Sequence, residues 1–196
     1  QTENNKTTKK SNLYNGDGQR IQKTEGDNSI NYYYQNGNVL YTTDKDEKKT
    51  SHNFVGLEGN TISTMRYNIS GLEYYVYNKD IKGSTTNIID NNKNAKISYK
   101  YSDFGETRET GDTDFYNEIA YTGGIYDEST SLYYLNARYY NPEDARFITQ
   151  DTYRGEVNNP SSLHLYVYCI NNPINYVDPS GHVPKAPGAW KTQGPD

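Results

Sequence analysis

The sequence predicts an all-β fold of antiparallel strands, from three observations: alternating apolar and polar runs, turn residues between them, and an unusual load of tyrosine. The 196 residues include 22 tyrosines, while the hydrophobic fraction is only 32% and the mean hydropathy is -1.07. Leu, Ile, Val and Phe together fall below the roughly 20% under which disorder becomes the default expectation. Two features oppose disorder. The formal net charge is only -5, whereas disorder needs low hydropathy together with high charge. Each tyrosine ring also offers roughly 150–250 Å² for burial and suits a pleated surface with one face partly wet. The chain is therefore expected to fold around a core made largely of tyrosine.

The strands follow in order. Ile30 to Tyr34 and Val39 to Thr43 flank Gln35-Asn36-Gly37-Asn38, and Asn-Gly between β-rich runs is a strong hairpin signal. Thr85 to Ile89 and Lys96 to Tyr101 flank Asp90-Asn91-Asn92-Lys93-Asn94. In the second run Ile97, Tyr99 and Tyr101 alternate with Ser98, Lys100 and Ser102, the period of a half-buried strand. Long helical periodicity is missing, and a short helical turn is expected near Pro142-Glu143-Asp144. Glycines at 18, 37 and 56, and again at 83, 105 and 124, recur about every 20 residues, as in a solenoid or other repeat array. Evenly spaced turns of a plain β-meander explain that spacing equally well.

Several function classes are excluded. The acidic balance argues against a nucleic-acid partner, which needs a clustered cationic face. Lys6, Lys9 and Lys10 read as a solvated tail. No run approaches the roughly 18 apolar residues of a membrane helix, so membrane insertion is not expected. Cys169 is the only cysteine and reads as a small packed residue. His52, His164 and His182 follow no metal-ligand spacing. With no Gly-rich phosphate loop or Gly-x-Ser-x-Gly elbow, no cofactor is expected. The chain begins with Gln1 and carries no signal peptide, so it is expected to be cut from a longer protein.

The residues then add a resemblance. Tyr14-Asn15-Gly16-Asp17-Gly18-Gln19-Arg20-Ile21 resembles a YD repeat, and Tyr74 through Tyr99-Lys100-Tyr101-Ser102-Asp103-Phe104-Gly105-Glu106 is similar to the last repeats of Rhs proteins. The most specific part is Leu132-Tyr133-Tyr134-Leu135-Asn136-Ala137-Arg138-Tyr139-Tyr140-Asn141-Pro142 followed by Arg146-Phe147-Ile148-Thr149-Gln150-Asp151. Leu165-Tyr166-Val167-Tyr168, Asn171-Asn172-Pro173 and Asp178-Pro179-Ser180-Gly181 complete a series that resembles the Rhs repeat-associated core domain. The likeness covers nearly the whole chain and is strongest from about Tyr121 to Gly181.

That resemblance implies YD-repeat strands over residues 1-120 that spiral as part of a hollow shell. It implies a core domain plugging the shell over 121-182, and a junction to a missing or variable C-terminal module over 183-196. Such bacterial shells enclose a variable toxin and are secreted or displayed at the cell surface. The implied partners are the preceding repeats of the same parent chain, the C-terminal toxin module, a delivery or secretion apparatus and an immunity protein. In several members the core is an aspartyl autoprotease acting only on its own chain. Arg138, Asp151 and Asp178 match that protease, and the implied cut follows the motif, at Gly181, His182 and Val183, between the last two. Two close carboxylates share one proton, one activating water and the other polarising the carbonyl, with an Arg orienting them.

This chain departs from the family pattern in three places. His182 stands where Leu usually follows the motif glycine, Thr152 where Pro often follows the first Asp, and Asn158 to Ser162 form an insert-like stretch. The residues alone leave another reading open, in which Asp151 and Asp178 cap turns and Arg138 ties strands together. At the level of function the rivals are a non-catalytic cell-surface adhesion or carbohydrate-binding module and an orphan fragment without activity.

Overall fold

The computed structural model describes residues 9–57, 59–112, 114–155, 157–158 and 160–187, the Ser161 side chain excepted. Lys6, Asn159 of the insert and residues 188–196 of the junction lie outside them. Ten strands run in sequence order through one antiparallel sheet: β1 (Lys10–Tyr14), β2 (Arg20–Glu25), β3 (Asn28–Gln35), β4 (Asn38–Thr43), β5 (Lys49–Val55), β6 (Thr61–Asn68), β7 (Gly71–Lys79), β8 (Thr85–Asp90), β9 (Ala95–Tyr101) and β10 (Thr107–Gly111). A second sheet holds β11 (Ile125–Asp127), β12 (Leu132–Leu135), β13 (Arg138–Asn141) and β14 (Arg146–Phe147). The all-β antiparallel expectation holds. No helix among the described residues is long and apolar enough to cross a membrane.

Strand alternation sets the faces. In β9 Ile97 and Tyr99 are buried while Lys100 is exposed, and Tyr32, Tyr75, Tyr77 and Ile88 join them on the inner face. The hairpin at Asn36-Gly37 forms as its residues require. Both have positive φ, 50° and 78°, and directly join β3 to β4.

Glycine spacing is not the true repeat. Five loops, beginning at Asn15, Asp44, Asp80, Asp90 and Ser102, share one closure, in which the N–H of the first residue donates to the carbonyl of the fifth at 2.9–3.0 Å. Each has its fourth residue at positive φ: Gly18, Glu47, Gly83, Lys93 and Gly105. The side-chain oxygen of the first residue accepts the fifth N–H, at 2.8–3.1 Å, as in Asp80 Oδ1 with Ser84 N–H. An Asx side chain supplies the acceptor that a tight turn otherwise lacks. Gly56 and Gly124 are the first and fifth residues of two further loops with the same backbone closure, at 2.8 and 3.0 Å, without the side-chain acceptor, while Gly37 belongs to the hairpin turn.

Two further expectations need correction. Pro142-Glu143-Asp144 is a turn and not helical, because Asn141 Oδ1 accepts the Glu143 N–H at 3.1 Å and gives the backbone a local alternative. The described helical turns are short 3-10 segments at Tyr121–Gly123, Pro160–Leu163 and Cys169–Asn171. Lys10 is not part of a tail: it opens β1, and its ammonium donates to the Ser129 carbonyl at 3.1 Å.

The second sheet is held to the first by tyrosine hydroxyls. Tyr121, Tyr133, Tyr140, Tyr168 and Phe147 form a buried cluster with Leu135, Ala120 and Cys169. Three of these rings grip one loop: Tyr121 donates to the Asp103 carbonyl at 2.7 Å, Tyr140 to Phe104 at 2.7 Å and Tyr133 to Gly105 at 3.3 Å. Burial pushes the Cys169 thiol up to about 12, which suits a packed residue and not a nucleophile.

A buried ion pair makes a second bridge. Arg20 of β2, fully buried, bonds Asp127 of β11, with its guanidinium 4.9 Å and 5.1 Å from the Tyr134 and Tyr32 ring centres. Lys23 also reaches Asp127, at 3.1 Å. Removing one partner of a buried pair leaves an uncompensated charge and costs about 3–5 kcal/mol. Arg20→Met should therefore destabilise the chain by about 3 kcal/mol or more in denaturant unfolding. Lys45→Ala, which removes the exposed pair with Asp46, should change nothing measurable. Equal effects from the two variants would contradict this role for Arg20.

Candidate acidic site

The site begins with a turn. Leu135 and Arg138 face each other across Asn136-Ala137, with Asn136 at φ +57°, so Arg138 opens β13 directly after the turn. The Asp178-Pro179-Ser180-Gly181 motif docks on that turn. Asn136 Nδ2 donates to the Pro179 carbonyl at 2.9 Å, and Ala137 N–H to Ser180 at 3.2 Å. Gly181 lies at φ +73°, and a Cβ there would run into the Leu135 carbonyl oxygen, so the motif needs glycine for both reasons.

Arg138 gathers the other groups. It is 5% exposed, and its guanidinium lies 3.6 Å over the Phe147 ring. Nε donates to the Gly181 carbonyl, and Nη1 to Leu165 at 2.9 Å. Nη2 meets Asp151 Oδ2 at 2.8 Å and lies 3.9 Å from Asp178 Oδ2. Both carboxylates are buried, at 7% and 1% exposure.

The remaining oxygens do local work. Asp178 Oδ1 accepts Ser180 Oγ–H and His182 N–H, each at 3.1 Å, so the motif has the same fourth-residue φ and fifth-residue bond as the loops of the large sheet. Asp151 Oδ1 accepts the Tyr153 N–H at 3.0 Å and lies 2.8 Å from His182 Nδ1. The turn-capping contacts and the paired carboxylates thus coexist: each Oδ1 serves its loop, and each Oδ2 faces one guanidinium nitrogen.

Burial pushes the Asp178 carboxyl above the usual carboxylate range, against the opposing pull of Arg138, Ser180 and the His182 and Gly181 N–H groups. Burial likewise draws the Arg138 guanidinium down, with Asp151 and then Asp178 pulling it back. A carboxyl inclined to stay protonated beside a second carboxylate is the arrangement an acid–base pair requires.

These groups line a cavity of about 320 Å³ with His164, Leu165, Val167, Ile170, Tyr153, Ser162, Val183 and Pro184. The expected cut residues are at its edge. Val183 N–H donates to Ser180 Oγ at 3.3 Å, and Val183 is exposed. Val177 and Lys185 close the segment with two backbone bonds of 2.9 and 2.7 Å. All six residues singled out from the sequence are therefore brought together. The His182 imidazole, His164 and the Leu165 carbonyl were not foreseen in the site, because histidine spacing in the chain says nothing of this fold. A larger cavity of about 540 Å³, faced by Arg66, Tyr77 and Glu118, holds none of the six. Among the described residues no group of three or more His, Cys, Asp or Glu is placed to hold a metal ion.

Residues 13–174 match the Teneurin YD-shell family. A protein named tRNA3(Ser)-specific nuclease WapA from Bacillus spizizenii is 37% identical over 173 residues, 86% of this chain and 7% of that protein. Salivary gland surface protein 1 of Aedes aegypti is 30% identical over 174 residues, 79% of this chain and 5% of that protein. Among solved structures, a TcdB2-TccC3 crystal structure matches with a TM-score of 0.69 at 20% identity, covering 92% of this chain and 9% of that one. A Photorhabdus luminescens Tc holotoxin pore matches with 0.68 at 17% identity, covering 98% and 10%.

The raised Asp178 carboxyl has a consequence for stability. The folded chain holds this proton more tightly than the unfolded chain, whose Asp titrates near 3.9. The group's contribution is complete below that value and is lost as pH rises through the folded one. From about pH 3 to about pH 7, wild type should lose stability relative to Asp178→Asn. Parallel denaturant titrations of the two chains measure this, and a difference independent of pH would contradict it.

Proposed function

The chain belongs to the Teneurin YD-shell family, and from that premise we propose that it closes a toxin-enclosing Rhs-type shell and carries an aspartyl autoprotease acting on its own chain. The observation that carries this reading is the meeting of Asp151 Oδ2 and Asp178 Oδ2 on Nη2 of Arg138, beside the loop to be cut. In this reading residues 1-120 are shell strands, 121-182 the core, and 183-196 the junction to a C-terminal module. The preceding repeats and that module are its first partners, with a secreted or cell-surface location. A delivery apparatus and an immunity protein belong to the same proposal. The nuclease in the Bacillus relative's name belongs to a protein of which this chain covers 7%, so the role assigned here is shell and processing.

The chemistry is hydrolysis. Ionised Asp151 takes a proton from water as its oxygen attacks the His182 carbonyl carbon, and protonated Asp178 donates to the carbonyl oxygen. The C–N bond then breaks as Asp151 passes its proton to the Val183 nitrogen, which leaves as an amine, and the reforming carbonyl returns its proton to Asp178. Arg138 holds both carboxylates and the Gly181 carbonyl in register.

A second reading, a non-catalytic adhesion or carbohydrate-binding module, has one observation in its favour. Tyr33 stacks on Tyr41 at 4.3 Å and Tyr41 on His52 at 6.5 Å, a row on the outer face of the large sheet. Processing separates the two readings. The parent protein with its C-terminal module should yield a fragment starting at Val183 at neutral pH, and Asp151→Asn or Asp178→Asn should abolish it. Acid scission of the labile Asp178-Pro179 bond would instead give a fragment starting at Pro179. An intact wild type, or cleavage unchanged in both variants, overturns the protease assignment and leaves the shell role standing.

A further inference from the structure

The residue just ahead of the cut bond contacts the water-activating carboxylate of the proposed site. His182 Nδ1 lies 2.8 Å from Asp151 Oδ1, and the His182 side chain is 38% exposed at the cavity edge. With the Tyr153 N–H at 3.0 Å, this bond fills the two lone pairs of Oδ1. Only Oδ2 keeps an open acceptor position, and Oδ2 is the oxygen on Arg138 Nη2, the nitrogen that also lies 3.9 Å from Asp178 Oδ2. The contact also tethers the attacked carbonyl, which belongs to His182 itself, to the base that serves it. Leu, the usual residue at this position of the family pattern, has no such donor.

Resting on the autoprotease reading, we propose that His182 is a positioning residue for the cleavage: it fixes the rotation of the Asp151 carboxylate and anchors the scissile carbonyl beside it. The substrate residue thereby completes the site that cuts it. The charged and titratable groups around it are Arg138 from β13, Asp151 and Tyr153 from the loop after β14, His164 from the segment after the insert, and Asp178 from the motif.

The test uses the parent protein with its C-terminal module, following the fragment that starts at Val183 at neutral pH. His182→Leu should slow cleavage about tenfold or more, the ordinary range for a lost orienting bond. His182→Gln, which keeps a donor, should recover most of the rate. Limited proteolysis of the shell checks that each variant is folded, and the glutamine form keeps the test decisive if the leucine form is not. If His182→Leu cleaves at the wild-type rate, or His182→Gln restores nothing that His182→Leu loses, while the two Asp→Asn forms stay intact, the inference fails and the protease assignment survives. If the wild type stays intact, both fall together.

Discussion

A core built from tyrosine is stable only if most of the hydroxyls it buries find acceptors, and that constraint organises this structure, with Tyr168 an exception whose hydroxyl has no hydrogen-bond partner. An unpaired buried hydroxyl costs on the order of 1–3 kcal/mol, enough to cancel much of what the ring contributes. Many of the acceptors are backbone carbonyls, three of them in one loop. Asp103, Phe104 and Gly105 receive Tyr121, Tyr140 and Tyr133, and Tyr101 reaches Thr85 at 2.7 Å. A chain poor in Leu, Ile and Val thus couples its two sheets by directional bonds as well as by area. The positions of β12 and β13, and therefore of Arg138, follow from where those hydroxyls find oxygen.

The loops that supply the carbonyls are one device used repeatedly. An Asx or Ser side chain closes five residues, and the fourth takes a left-handed backbone that glycine, glutamate or lysine fills. This is why glycine spacing was a partial guide: Glu47 and Lys93 occupy the same position without announcing it, and Gly37 belongs to a two-residue turn. The hairpin at Asn36-Gly37 and the alternation along β9 were fully legible, since both depend only on neighbours in the chain.

The acidic site was legible in part, and for a different reason. Asp151, Asp178 and Arg138 were named through motif order, not through any local pattern, because their meeting depends on how the second sheet folds back on itself. Asp178 also shows why the turn reading and the paired-carboxylate reading were inseparable in sequence. Its Oδ1 closes a loop of the same kind as those in the large sheet, and its Oδ2 faces Arg138. The imidazole of His182 could not be foreseen, since the bond to Asp151 joins residues 31 apart through a cavity that only the fold creates.

If burial raises the Asp178 carboxyl and Arg138 opposes it, the titration of Asp178 must answer to the guanidinium. Carbon-13 labelling of aspartate carboxyls, followed by NMR from acid to neutral pH, reads this directly. A step above the ordinary aspartate range is expected for Asp178, and Arg138→Gln should raise it further, because the guanidinium no longer opposes the desolvation of the carboxylate. An Asp178 step in the ordinary range, or one unmoved by Arg138→Gln, would contradict this acidic site.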